Sequence, residues 1–347
     1  LPTRYPCINP FVQDDCTGGQ EKYDMDIEVN PNDWGHVIVG GVQLYEFRYT
    51  PGSNPIGGSW LMLANKIDFP GNMNYVHADK HTIYWSNSGT VYIGHDGGIS
   101  KSTDNGATWQ ARNYGYNVTT FYDATMSANG YVVGGAQDNG TQLQAFGAFG
   151  SQTPLGTVEI QGGDGFDVAF SRLGSGIVYA TSQNGVLNRL TPGGNPGSFY
   201  NNYLFGKVFQ GNEPFHTVIE NWENPNDPLS NDSVDIEIDT IGYINGFADT
   251  IFAGDTLFAG DVINYTSLTN GMSLTYTVPS DYITDSILET IRLVDPIQNR
   301  FVVRFNEGCF LTKDAARLNA TQYKWYKISN RGNVENFEFT PDGNSVF

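Results

Sequence analysis

The chain has 347 residues, with 18 Lys plus Arg against 37 Asp plus Glu, and so a net charge of −19. Aromatics at 14% and 41 glycines exclude simple disorder, collagen and coiled coil, since disorder needs few aromatics and a coiled coil few glycines. So acidic a chain lacks the basic footprint that phosphates require, which excludes nucleic acid, and no run approaches the ~18 apolar residues of a membrane span.

The chain opens Leu1-Pro2-Thr3 without an apolar leader and stops at Ser345-Val346-Phe347 as a strand begins. Both ends read as cut, so a larger polypeptide is expected. Cys7 and Cys16 enclose a loop rich in Pro, Asp and Gly. A disulfide there suits an oxidising exterior; the alternative is two free thiols. Cys309, in an apolar run, reads as a small buried hydrophobe.

Helix signals are poor; only Lys313 to Leu318 reads as a helical turn. Alternating apolar residues and Gly/Asn/Asp turns dominate, as in a many-stranded β protein. A short apolar strand ending in glycine or polar turn residues recurs at Val37, Val91, Tyr131, Ile177 and Phe301, mostly at intervals of about 40–50 residues, and Ser345 starts a sixth. The step from Ile177 to Phe301 is 124 residues and implies an insertion. About ten residues before each strand stands a second pattern, a polar residue and then alternating apolar ones, as at Asp26, His81, Asp123, Asp167 and Asn336. Two strands, a tight turn and further strands per repeat predict blades of four antiparallel strands. The expected fold is an all-β β-propeller, incomplete in this chain, with a solenoid of β-arcs as the other candidate.

Ser102-Thr-Asp104-Asn-Gly106-Ala-Thr-Trp109 has its own local physics. The carboxylate accepts from nearby backbone amides, Gly takes a positive φ, and Trp packs beneath the hairpin. The segment resembles the Asp-box of sialidase, sortilin and xyloglucanase-type propellers. With GGQEKYDMDIEVNPND (18–33), IVGGVQLYEF (38–47), YVHADKH (75–81), GGAQDNGTQL (134–143) and GGDGFDVAF (162–170), it resembles Asp-box propellers in large secreted proteins of Bacteroidota. That resemblance implies an extracellular or cell-surface location, type IX secretion and partners among other domains of one larger protein or cell-surface proteins. It makes Ser102, Asp104, Gly106 and Trp109 a structural staple. The first repeat departs from the pattern, with Tyr45-Glu-Phe-Arg48 in place of Trp-Lys-Ser.

The domains are read as propeller over 1–204, an inserted acidic β-sandwich-like domain over 205–296, and propeller again over 297–347. Between Glu213 and Asp295 stand 15 acids and one base, Arg292. Val262 to Val278 predicts a hairpin turning at Asn270-Gly271. Five Asp-Ser/Thr-apolar triplets are similar to the O-glycosylation sequon of Bacteroidota secreted proteins, which implies glycans on Ser233, Thr240, Thr250, Thr256 and Ser286. An Asp turn before a strand starting with Ser or Thr gives the same triplet without any glycan.

His77-Ala-Asp79-Lys-His81 places three potential ligands at alternate positions, hence on one strand face; the set reads first as an inner-strand polar cluster hydrogen-bonding to neighbouring blades, with a divalent-cation site of zinc type as the alternative, and calcium suits turns such as that at Asp138. Asp79, Asp138, Trp34 and Trp60 are the candidate ligand-binding residues, the tryptophans stacking on sugar rings. The repeated aspartates serve as backbone caps or, in the hydrolase reading, as acid and base. For xyloglucanase-type propellers the resemblance offers Asp26, Asp123, Asp164 and Asp167 for those roles. A sialidase is disfavoured because no Arg stands at a matching motif. The leading expectation is a non-catalytic module for binding, adhesion or assembly, with carbohydrate among its partners. The alternative is a glycoside hydrolase.

Overall fold

The computed structural model describes residues 23–53, 57–64, 72–115, 118–144, 157–173, 177–192, 199–203, 213–237, 241–244, 247–251, 255–283, 290–317 and 323–347. These residues are all-β, with no helix among them, and five of their sheets are four-stranded antiparallel blades of the β-propeller type. Cys7, Cys16, Thr240 and Ser286 lie outside the described residues.

The chain forms two compact units, 1–119 and 120–347. In the first, sheet 1 comprises Asp26–Val29, His36–Gly40, Leu44–Thr50 and Gly57–Ala64, and sheet 2 comprises Lys80–Trp85, Val91–His95, Gly98–Ser102 and Gln110–Ala111. Each is a simple meander, every strand pairing with the next. Ile38 and Leu44 of sheet 1 pack on Ile83, Trp85, Val91 and Ile93 of sheet 2. Burial of such side chains contributes about 1.5–3 kcal/mol each.

In the second unit, sheet 3 comprises Phe121–Met126, Val132–Ala136, Gly140–Gln144 and Val158–Gln161. Sheet 4 comprises Val168–Phe170, Val178–Ser182, Val186–Pro192 and Phe199–Tyr203. Sheet 5 comprises Ile219–Asn224, Gln298–Phe305, Gly308–Thr312 and Trp325–Ser329. Val133 and Leu143 pack on Val168, Val178 and Leu190; Tyr179 and Leu187 pack on Ile219, Phe301 and Phe310. A further hairpin starts at Phe337, bridges Phe339 to Val346, and lays both phenylalanines on Val302 and Cys309.

All five glycine-punctuated segments are second strands. A second strand lies inside its sheet, so its side chains are apolar and its end must let the neighbouring sheet pass. A Cβ on Gly40 would meet that of Lys80 at 2.9 Å, and one on Gly135 would strike the Phe166 carbonyl. The segment from Asp314 to Arg317 is one hydrogen-bonded turn, not a helix.

The insertion sits between the first two strands of sheet 5. The first of these, Ile219–Asn224, falls inside the stretch assigned to the insertion from sequence, because the acidic sequence IENWEN hides a blade strand. The insertion has a four-stranded sheet and two two-stranded ladders around Ile251, Leu257, Ile263, Val278 and Leu293. Its hairpin does not turn on two residues. Thr266 pairs with Ser273, and buried Asp295 holds Ser267 Oγ at 2.8 and 2.9 Å and the Leu268 amide at 2.9 Å. That anchor fixes a wider loop than Asn270-Gly271 alone would give.

Candidate functional site

The repeated aspartates share one structural task. Asp26 Oδ2 accepts the amide of Ile83 at 2.5 Å, Asp123 Oδ2 that of Val168 at 3.0 Å, and Asp167 Oδ2 that of Ile219 at 3.0 Å. In each case the carboxylate stands at or near the start of the first strand of one sheet and clamps the first strand of the next. The register is identical, because Val168 follows Asp167 and Ile219 follows Val218, whose carbonyl pairs as that of Asp167 does. A charged hydrogen bond of this kind contributes about 1.5–3 kcal/mol. Burial pushes the Asp123 carboxyl above its ordinary value, and the Val168 amide acts against that rise. Asp164 is no clamp; its Oδ1 accepts the Asp138 amide at 3.0 Å while its own amide donates to Gln183.

In the second unit, the residues just ahead of these aspartates form an aromatic platform. Tyr122 precedes Asp123 and Phe166 precedes Asp167; in sheet 5, where Val218 stands in place of the Asp, Thr217 precedes it and the aromatics His216 and Phe215 come one and two residues earlier. The His216 ring stacks on Phe166 at 4.8 Å, Tyr122 tilts against Phe166 at 4.7 Å, and Phe215 meets Phe166 edge-on at 5.4 Å. His216 Nε2 lies 2.8 Å from Asp167 Oδ1, which orients the ring. Phe215 is 59% exposed and Tyr122 45%. Acids surround them. Burial, then the charges of Asp164 and Asp138, raise the Tyr122 hydroxyl. Glu220 is pushed up to about 7, first by burial and then by Glu338, Asp123 and Asp167, with the Asn221 amide opposing. The clamp residues were legible as a repeat, but the platform was not. Its signal is an aromatic directly before the repeated Asp, and in sheet 5 Val218 replaces that Asp.

In the first unit, His77, Asp79 and His81 do not converge as metal ligands. Asp79 adopts φ 58°, which breaks the extended alternation that would put all three on one face, and the ladder shifts register between Lys80 and Thr82. His77 instead stacks on His95 at 5.6 Å, and His95 Nε2 meets Ser100 Oγ at 2.9 Å. His81 sits between Asp96 Oδ1 at 2.6 Å and the Tyr23 carbonyl at 3.2 Å. Burial alone would lower this imidazole; the bond to Asp96 and its charge outweigh that and raise it. Lys80 is fully buried with Nζ on the Val42 carbonyl at 2.8 Å, and burial brings its amine down to about 7.

Trp34 and Trp60 stand apart from Asp79. Trp34 tilts on Tyr49 at 5.0 Å and Trp60 on Phe47 at 5.1 Å, on the face of sheet 1 opposite Ile38. Trp34, Gly35, Val37, Phe47 and Tyr49 line a depression of about 230 Å³ there. Glu46, where the first repeat departs from the resemblance, lies 2.7 Å from His36 Nε2 and 3.2 Å from Arg48 Nε. In the turn after Ser102, Asp104 accepts the Thr108 amide and hydroxyl at 2.9 and 2.6 Å and the Ser102 hydroxyl at 2.7 Å; Gly106 has φ 93° and Trp109 is buried. Cys309 is a buried free thiol. Among the triplet residues, Ser233 opens a strand half-buried, Thr250 ends one, and Thr256 is exposed.

No protein-family model and no curated protein matches the chain. Among solved structures, it is similar to an ancestral GH74 enzyme at 12% identity and TM-score 0.24, over 92% of this chain and 39% of that one. It is similar to YCF48 bound to D1 peptide at 11% and 0.24, over 87% and 84%, and to the Dos1 propeller at 13% and 0.24, over 93% and 89%. The chain thus spans well under two thirds of the GH74 enzyme. The blade assignment rests on strand order and on the register of the clamps.

Proposed function

We propose that this chain is a non-catalytic propeller module of a secreted or cell-surface protein, which holds a partner carrying basic groups on the rings of Tyr122, Phe215 and His216, packed around buried Phe166. One observation carries the reading. Asp26, Asp123 and Asp167 are committed to neighbouring backbone amides, while beside Asp123 and Asp167 the rings of Tyr122 and Phe215 stand exposed within the field of nearby acids. Lys and Arg side chains bind aromatic faces through the ring quadrupole, and a net charge of −19 steers cationic partners toward the chain. The role is adhesion or assembly, with other domains of the same protein or cell-surface proteins as partners.

The test is binding of Lys/Arg-rich and acidic peptides, alongside a glycan panel, to the protein and to Phe215→Ala. Retention of the basic peptides alone, lost in the variant, is expected. Capture of glycans with no peptide bound would reassign the platform to carbohydrate. Release of sugar from plant or algal polysaccharides would overturn the non-catalytic reading. In the same proposal Ser233 and Thr256 carry O-glycans; a native-source protein with its bare polypeptide mass would refute that part.

A further inference from the structure

The segment that runs from sheet 3 into sheet 4 carries a carboxylate that clamps no sheet. Asp164 stands between Gly163 and Gly165, two residues ahead of buried Phe166. Its backbone is pinned on both sides. Gly163 adopts φ 87°, and a Cβ on Gly165 would strike the Gly140 carbonyl. The Gly165 amide donates to the Ala136 carbonyl at 3.0 Å, and the Asp164 amide to Gln183 Oε1 at 2.9 Å. Of the two side-chain oxygens, Oδ1 accepts the Asp138 amide at 3.0 Å, and Oδ2 takes no donor among the described residues. The Tyr122 ring is held as firmly. It tilts on Phe166 at 4.7 Å and lies 5.5 Å from His216, yet is 45% exposed. Burial first, and then the charge of Asp164, raise its hydroxyl, so the ring and this carboxylate share one neighbourhood.

We infer that Tyr122 and Asp164 select arginine: the guanidinium of a partner lies flat on the Tyr122 ring and donates to Asp164 Oδ2. This rests on the basic partner proposed above and adds which basic side chain that partner offers. A guanidinium is planar and weakly hydrated, and its N–H donors form a rigid fork, so it can stack on a ring and reach a carboxylate together. A lysine ammonium is a compact, strongly hydrated charge. It makes one of these contacts well but has no flat face with which to make both. Because the ring and the carboxylate are already fixed by their neighbours, little order is lost in bringing them to the ligand.

The experiment is calorimetric titration of the chain with two peptides of equal length and charge, one basic through arginine and the other through lysine. It is run at about 0.15 M salt, where exposed charges are screened beyond a few ångströms. The arginine peptide should bind more tightly by about fivefold or more. Asp164→Asn keeps an Oδ1 acceptor for the Asp138 amide, and hence the local fold, and should abolish the preference. Tyr122→Phe retains the ring and should keep it, whereas Tyr122→Leu should lose it. Equal binding of both peptides to the unaltered chain would overturn the arginine inference and leave the platform reading standing. Failure of both peptides to bind would remove the two together. An arginine preference undiminished in folded Asp164→Asn would likewise overturn the inference, since the carboxylate would then play no part in the choice.

Discussion

The starts of the first strands differ between the two units although the framework beneath them is shared. In the first unit the residues ahead of the clamp position are Asp24, Asp79, Lys80 and His81, a polar cluster in which Asp24 and Lys80 are buried and His81 is exposed. In the second they are Tyr122, Phe215 and His216, an aromatic platform packed around buried Phe166. One residue further on the chemistry converges again, and Asp26, Asp123 and Asp167 each take the next sheet's amide. The lesson is positional. The clamp position is fixed by a backbone donor that must be satisfied, whereas the residues just before it face no such demand and are free to diverge.

Removing the clamps gives the largest effect. Asp167→Ala strands the Ile219 amide and releases His216, and should cost about 3 kcal/mol in urea unfolding; Asp26→Ala, which strands the Ile83 amide and the exposed Ile27 amide but releases no histidine, should cost about 1–2 kcal/mol. Equal costs would mean that the His216 pair adds nothing to the second unit.

A second test uses pH. The folded-state carboxyl of Glu220 lies near 7, above its ordinary 4.5, so the folded chain binds the extra proton between those values. Its contribution to stability is therefore full below about pH 4.5 and is lost as pH rises through about 7. Glu220→Gln should flatten that slope in thermal melts recorded from pH 4 to 8, and an unchanged slope would place the acid burden elsewhere.

Smaller effects sharpen the contrast between framework and surface. Phe215→Ala should shift stability by no more than about 0.5 kcal/mol, because the ring is largely exposed, yet abolish retention of basic peptides. Trp34→Ala, on the other unit and 74% exposed, should alter neither that retention nor stability measurably. If Trp34 rather than Phe215 controls binding, the platform has been placed on the wrong sheets.

Legibility in the sequence followed burial. The second strands announced themselves because both their faces are covered, which forces apolar residues and, at Gly40 and Gly135, glycine. The first strands of sheets 1, 3 and 4 were visible through their clamp aspartates. That of sheet 5 was not, since Val218 replaces the acid and Glu220 and Glu223 resemble the acidic insertion that follows. The metal reading of His77, Asp79 and His81 assumed an unbroken strand; a single left-handed residue at Asp79 redirected it. The hairpin at Asn270-Gly271 was redirected by Asp295, a partner 25 residues away in sequence.

The sequence by itself determined the all-β class, the repeat and the positions of its central strands, because alternation and glycine spacing are local consequences of pairing inside a sheet. Only the tertiary structure decided what the acids do. A carboxylate's role depends on which amide, ring or second carboxylate comes within a few ångströms of it, and here those partners arrive from neighbouring sheets about 45 to 57 residues along the chain.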